Sequence, residues 1–186
     1  GAGRTVISSP SRRTGSRYST SFLSGFSYVI QVKPGTSATI KDLSIDGRGN
    51  ATCAERYFGI RFVNSSGSVD SVLVDNVRAR GSEFACPNKI GIAATADRGS
   101  TSTVSIARTT VRRFEQTGIL GNGQDATITV SDTVVRGVGP QSLIAQQGVR
   151  FASSATGKVE RGDVSDLNFT GDPCKGLGTG ISVEKA

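Results

Sequence analysis

Histidine, tryptophan and methionine are absent from this chain. Without histidine there is no ordinary general base near neutral pH, none of the commonest metal ligand, and no histidine-based triad. Long apolar runs are also missing. No stretch of 18 apolar residues occurs, so no helix spans a membrane. No signal peptide is visible, and the chain begins at Gly1, as expected of a processed product or excised domain. Acidic residues are scarce at the start. Arg4, Arg12, Arg13, Arg17 and Lys33 fall within residues 1–33, which hold no acid, although the net charge of the whole chain is only +7. The charge asymmetry therefore belongs to the N-terminal segment, where it reads as a solvated loop or as an attractor of polyanions.

What is present is repetition. Gly59-Ile60-Arg61-Phe62 returns as Gly91-Ile92-Ala93-Ala94, Gly118-Ile119-Leu120, Gly148-Val149-Arg150-Phe151 and Gly180-Ile181-Ser182-Val183. The glycines stand 32, 27, 30 and 32 residues apart. Tyr28-Val29-Ile30-Gln31-Val32 is an earlier copy without the glycine. A repeat of this period is the signature of a stacked array, and 186 residues make one domain with a substantial core.

About six coils can be written out. The first has Thr5-Val6-Ile7 and Tyr28–Val32 around a basic Ser/Arg-rich loop at 8–24. The second has Ala38–Lys41, Leu43–Gly47 and, after an insertion at 48–58, the glycine phrase. The third is assigned Val72-Leu73-Val74 and Val77-Arg78-Ala79, then an insertion at 81–89. The fourth has Val104-Ser105-Ile106 and Thr110–Arg112; the fifth, Ala126–Val130 and Val134–Gly137. The sixth has Lys158–Glu160, Asp163–Ser165 and an insertion at 168–179. Each coil holds three short strands, none able to bury a face alone. Stacked at about 4.8 Å per step, they become rungs of parallel sheets with β-branched ladders inside. An antiparallel sandwich or barrel is the alternative. Against it, Asp46-Gly47 and Asn122-Gly123 are not followed by matched strands of equal length.

Gly1-Ala2-Gly3-Arg4-Thr5-Val6-Ile7 resembles the opening phrase of the right-handed parallel β-helix family of secreted bacterial proteins, the superfamily that includes pectate lyases. Ala38–Gly47, Thr103–Arg113 and Ala126–Gly137 resemble its coil repeat. The resemblance implies an all-β, right-handed parallel β-helix over residues 1–186, secreted or at the cell surface. It implies no single function, because that superfamily includes lyases, hydrolases, epimerases, tailspikes and non-catalytic surface proteins. Such helices are commonly capped. No capping helix precedes Gly1, and the chain stops on a third strand, so a piece of a longer solenoid, or end-to-end association through uncapped coils, is expected.

Cys53 and Cys86 precede their glycines by six and five residues in neighbouring coils, so they are expected to form a disulfide between rungs, which implies an oxidising compartment. Cys174 lies three coils beyond and is expected to be unpaired within these residues. Asn50, Asn64 and Asn168 begin N-x-S/T triplets at turns, as also arises by chance in a Ser/Thr-rich chain.

Stacking makes columns. Arg78, Arg112 and Arg136 each follow the central valine of a second strand and are expected to form an outward ladder, with Asp46 one coil earlier. Such a ladder needs solvent, nearby acids such as Asp75 or Glu115, or an anionic ligand. The third-strand column runs Arg61, Ala93, Leu120, Arg150 and Ser182, with its two arginines too far apart to meet on one group. For catalysis the weak candidates are Glu55, Glu83 and Lys89 in the insertions. A pectate-lyase-like mechanism would need clustered carboxylates holding calcium and a basic residue as proton acceptor. Asp42, Asp46, Asp70 and Asp75 make no triad in one column, and no metal site or other cofactor is expected. Arg12-Arg13 and Arg112-Arg113 are short runs with few aromatics between them, which argues against nucleic acid.

Three functions remain. The favoured one is non-catalytic binding or scaffolding of a polysaccharide or other anionic polymer, through Arg78, Arg112, Arg136, Arg61 and Arg150. The second is a polysaccharide-active lyase or hydrolase with its site at the insertions before the third strands. The third is a self-assembling module that uses the open ends.

Overall fold

The computed structural model describes residues 5–9, 26–49, 51–53, 55–80, 86, 88–174 and 176–185. Among them there is no helix. Coil 1 contributes β1 (Thr5–Ser8) and β2 (Phe26–Val32). Coil 2 holds β3 (Ser37–Lys41), β4 (Leu43–Asp46) and β5 (Arg56–Val63), and coil 3 holds β6 (Ser66–Asp70), β7 (Leu73–Asp75) and β8 (Lys89–Thr95). Coil 4 holds β9 (Ser102–Ala107), β10 (Thr110–Arg112) and β11 (Thr117–Asn122). Coil 5 holds β12 (Ala126–Ser131), β13 (Val134–Arg136) and β14 (Gln147–Ala152), and coil 6 holds β15 (Thr156–Glu160), β16 (Asp163–Ser165) and β17 (Thr179–Val183).

Every pairing is parallel and joins equivalent strands of successive coils. Three sheets result: β3-β6-β9-β12-β15, β1-β4-β7-β10-β13-β16 and β2-β5-β8-β11-β14-β17. This is a right-handed parallel β-helix. The expected coils hold except in the third, where the strands are Ser66–Asp70 and Leu73–Asp75. Val77 is a fully buried corner residue beyond them. Ser66-Gly67-Ser68-Val69-Asp70 has one large apolar residue, so alternation did not mark it as a strand. Its backbone is extended because rungs on both sides hold it.

The core is a set of aliphatic columns. Ile60, Ile92, Ile119 and Val149 stack in one wall, and Ile45, Val74, Val111 and Val135 in another, all at most 1 % exposed. Between the first and second strands each coil turns at one left-handed residue: Asp42 (φ 56), Ser71 (φ 54), Arg108 (φ 46), Asp132 (φ 48) and Arg161 (φ 47). Non-glycine residues pay a steric cost in that region. Here each N–H from Asp42 to Asp132 donates to a carbonyl on the following rung, which holds the conformation in place.

The repeated glycines are fixed by space. None of Gly59, Gly91, Gly118, Gly148 and Gly180 has positive φ. They line the corner where the second- and third-strand sheets converge. A Cβ on Gly59 would lie 2.6 Å from the carbonyl oxygen of Gly91 and 2.7 Å from Val74 Cγ1. The first coil has Val29 at this place, between Tyr28 and Ile30, which pair with Phe58 and Ile60.

The Cys53–Cys86 disulfide is present, with Cα atoms 4.8 Å apart, and Cys174 is free and exposed. No helix among the described residues is long and apolar enough to cross a membrane. The basic run Arg12, Arg13 and Arg17 within the 8–24 loop, together with Arg4, Asn50 and Glu83, lies outside the described residues.

Candidate functional site

The third-strand sheet is apolar on both faces. Phe58 and Ile90 point away from the core yet are only 4 and 5 % exposed. With the fully buried Ala93, and with Phe26 and Leu120 packed on them, they form a second cluster outside the helix. Arg56, Asn88 and Gln116, at the starts of the third strands or just before them, line one side of it. The residues after those strands form the other rim. Between the rims runs a groove of about 460 Å³, lined by Phe26, Phe58, Ile90 and Leu120 below and by Asn88, Gln116, Thr95, Asp97, Asn122 and Ser153 at the sides.

Arg61 and Arg150 both line this groove, three rungs apart in the column Gln31, Arg61, Ala93, Leu120, Arg150, Ser182. They do not meet on one atom, as the sequence indicates, yet they serve one surface. The Arg61 guanidinium carbon lies 4.3 Å from the Phe26 ring centre and 5.0 Å from that of Phe58. The two rings are themselves stacked, 6.2 Å apart, and Arg56 sits 5.2 Å from Phe26. Contacts of this kind stabilise by about 0.5–1 kcal/mol each at exposed sites, and here they also fix the orientation of a long, flexible side chain. Burial pulls the Arg61 guanidinium below its ordinary pKa, and Asp97 opposes that. An arginine remains charged under such a pull. Arg150 is clasped by Glu184, Nη2 to Oε2 at 2.7 Å. In both arginines Nε is buried without a hydrogen-bond partner, and so is Ser182 Oγ in the same column.

The expected ladder of Arg78, Arg112 and Arg136 is corrected. The second-strand column reads Ser8, Asp46, Asp75, Arg112, Arg136, Ser165. Asp75 occupies the rung assigned to Arg78, because the second strand of coil 3 lies three residues earlier. Arg78 instead follows that strand, and its Nε donates to Asn76 Oδ1 at 2.6 Å. The cations that remain are offset locally. Arg112 and Arg113 both clasp the buried Asp75, and Arg136 lies 3.3 Å from Asp166. Burial pushes the Asp75 carboxyl up, but the hydrogen bonds from Arg113 and then Arg112 outweigh this and leave it below its ordinary value. This face is a solvated ion-pair network.

The insertion candidates hold the loops together. Lys89 is fully buried, and its Nζ donates to the backbone oxygens of Glu55 (2.6 Å) and Cys53 (3.3 Å). The Glu55 carboxylate accepts from the N–H of Thr52. Glu115, expected to offset the ladder, is buried and accepts the N–H groups of Ala79 and Cys86. Asn64 is committed too: its amide donates to Asp97 and its carbonyl accepts the Asp97 N–H, at 2.8 and 2.7 Å.

Sequence reasoning named Arg61 and Arg150 but not the apolar floor between the rims. A signal existed in Tyr57-Phe58-Gly59-Ile60-Arg61-Phe62, a nearly continuous apolar run of the kind a strand covered on both faces carries.

The groove is suited to holding an elongated molecule. Its cations, Arg56, Arg61, Arg150 and Lys185, outnumber its carboxylates, Asp97 and Glu184. Those carboxylates belong to the third and sixth coils, a separation on the order of 14 Å at the rung spacing. A glycosidase pair stands at about 5–9.5 Å. Among the described residues no three cysteine or acidic side chains gather to hold a metal ion. A search of protein-family models, curated proteins and solved structures finds no match to the chain.

Proposed function

We propose that this is a secreted or cell-surface β-helix protein, of the pectate-lyase-like kind in architecture, that binds an anionic polysaccharide without chemistry. One observation carries the reading: two arginines line a single groove that has an apolar floor and more cations than carboxylates. A sugar ring presents an apolar face to such a floor and hydroxyls to the polar rims, while guanidinium meets carboxylate or sulfate by charge-assisted hydrogen bonds. The long, flat sheet suits a polymer. The Cys53–Cys86 disulfide fits an oxidising compartment.

The test is a binding panel of immobilised acidic and neutral polysaccharides, run beside an assay for release of unsaturated or reducing sugar ends with and without calcium. Retention on acidic polymers that falls steeply with salt, with no end release, is expected. Release of sugar ends would sink the non-catalytic reading. Retention on none of the acidic polymers would sink the polysaccharide reading.

A further inference from the structure

The two carboxylates that line the groove are differently placed. Asp97 is taken up by the Asn64 amide, whereas Glu184 is held by an arginine, Arg150 Nη2 to Oε2 at 2.7 Å. Glu184 directly follows β17, and its N–H donates to the Phe151 carbonyl at 2.7 Å. That bond seats its backbone beside β14, and the side chain reaches back to Arg150. The Arg150 side chain is 29 % exposed and that of Glu184 45 %. Arg150 Nε is closed to solvent, so a ligand meets this arginine through its Nη groups. One of these is the group that Glu184 holds. A uronic acid brings a carboxylate too, so the internal acid and the ligand ask for the same donor. Two carboxylates drawn to one guanidinium edge repel each other. An ion pair this exposed stabilises only weakly, so it exchanges for a ligand's carboxylate at a modest cost in affinity.

We infer that Glu184 occupies the groove's uronate subsite as an internal competitor, and that an acidic glycan binds at Arg150 by displacing its carboxylate. This rests on the polysaccharide reading above. A polymer held elsewhere in the groove, at Arg56 and Arg61, presents its next acid to Arg150 at high effective concentration, which a lone uronic acid does not.

The test measures affinity for polygalacturonate of the unaltered chain, Glu184→Gln, Arg150→Gln and the double variant, with thermal midpoints as a check on folding. Glu184→Gln keeps the shape of the side chain and is expected to bind at least about twofold more tightly, as the release of an exposed ion pair allows. Arg150→Gln is expected to cost a larger factor in the Glu184→Gln background than with Glu184 present, because only there does Arg150 give the ligand its full strength. If Glu184→Gln binds no more tightly, Glu184 positions Arg150 and does not compete for it. If Arg150→Gln costs no more in the Glu184→Gln background, Glu184 acts by its charge alone. Either result overturns the inference and leaves the acidic-glycan reading standing. If neither the unaltered chain nor Glu184→Gln binds polygalacturonate better than neutral hydroxyethyl cellulose, both fall.

Discussion

At the scale of single residues the glycine column governs the fold. Gly118 sits where an added methyl group would meet Val135 Cγ1, the Gly148 carbonyl oxygen at 2.7 Å and Phe114 at 3.1 Å. Gly180, at the same place in the last coil, has only Val164 Cγ1, at 3.9 Å. The same substitution should therefore have two outcomes. Gly118→Ala is expected to cost about 1–3 kcal/mol through overpacking, read as a fall of several degrees in thermal midpoint. Gly180→Ala is expected to lie within about 0.5 kcal/mol of the unaltered chain. Equal effects would mean that the column matters for some reason other than space. The glycines were legible in the sequence as a repeat, but their reason was not. That reason is a neighbouring sheet's valine, contributed by a different strand of the same coil or the next.

At the scale of elements, strands and insertions divide the work between them. Strands whose own residues alternate, such as Ala126–Ser131, could be read directly. Ser66–Asp70 could not, because its extended conformation comes from β3 and β9 on either side. That slip moved Arg78 into a column that belongs to Asp75. The insertion network was illegible for a similar reason. Lys89 and Glu115 read as available charges, yet they are consumed by backbone groups of loops from neighbouring coils. The disulfide adds a covalent tie between two of these insertions, closing a separation of 33 residues. By loop entropy, Cys53→Ser should lower stability by about 4 kcal/mol in a denaturant titration. Cys174→Ser, at an exposed free thiol, should change it by less than about 0.5 kcal/mol. A negligible loss for Cys53→Ser would show that Lys89 and Glu115 alone hold the insertions in place.

At the scale of the whole molecule, one stacked scaffold presents two charged faces of opposite character. On the second-strand face the arginines are matched by Asp75, Asp163 and Asp166, and the network is closed. On the third-strand face the cations that line the groove exceed the acids. The end of the stack carries its own signature. Ile181 and Val183 continue core columns but are 50 and 76 % exposed, as the last rung of any ladder must be. The groove face bears the functional claim. Its most direct test compares Arg61→Gln, Arg150→Gln and Arg136→Gln for affinity to an acidic polysaccharide retained by the unaltered chain. Each groove variant is expected to bind at least tenfold more weakly, a loss of about 1.4 kcal/mol or more, while Arg136→Gln on the opposite network binds as before. Unchanged binding by both groove variants, or a loss confined to Arg136→Gln, would contradict it.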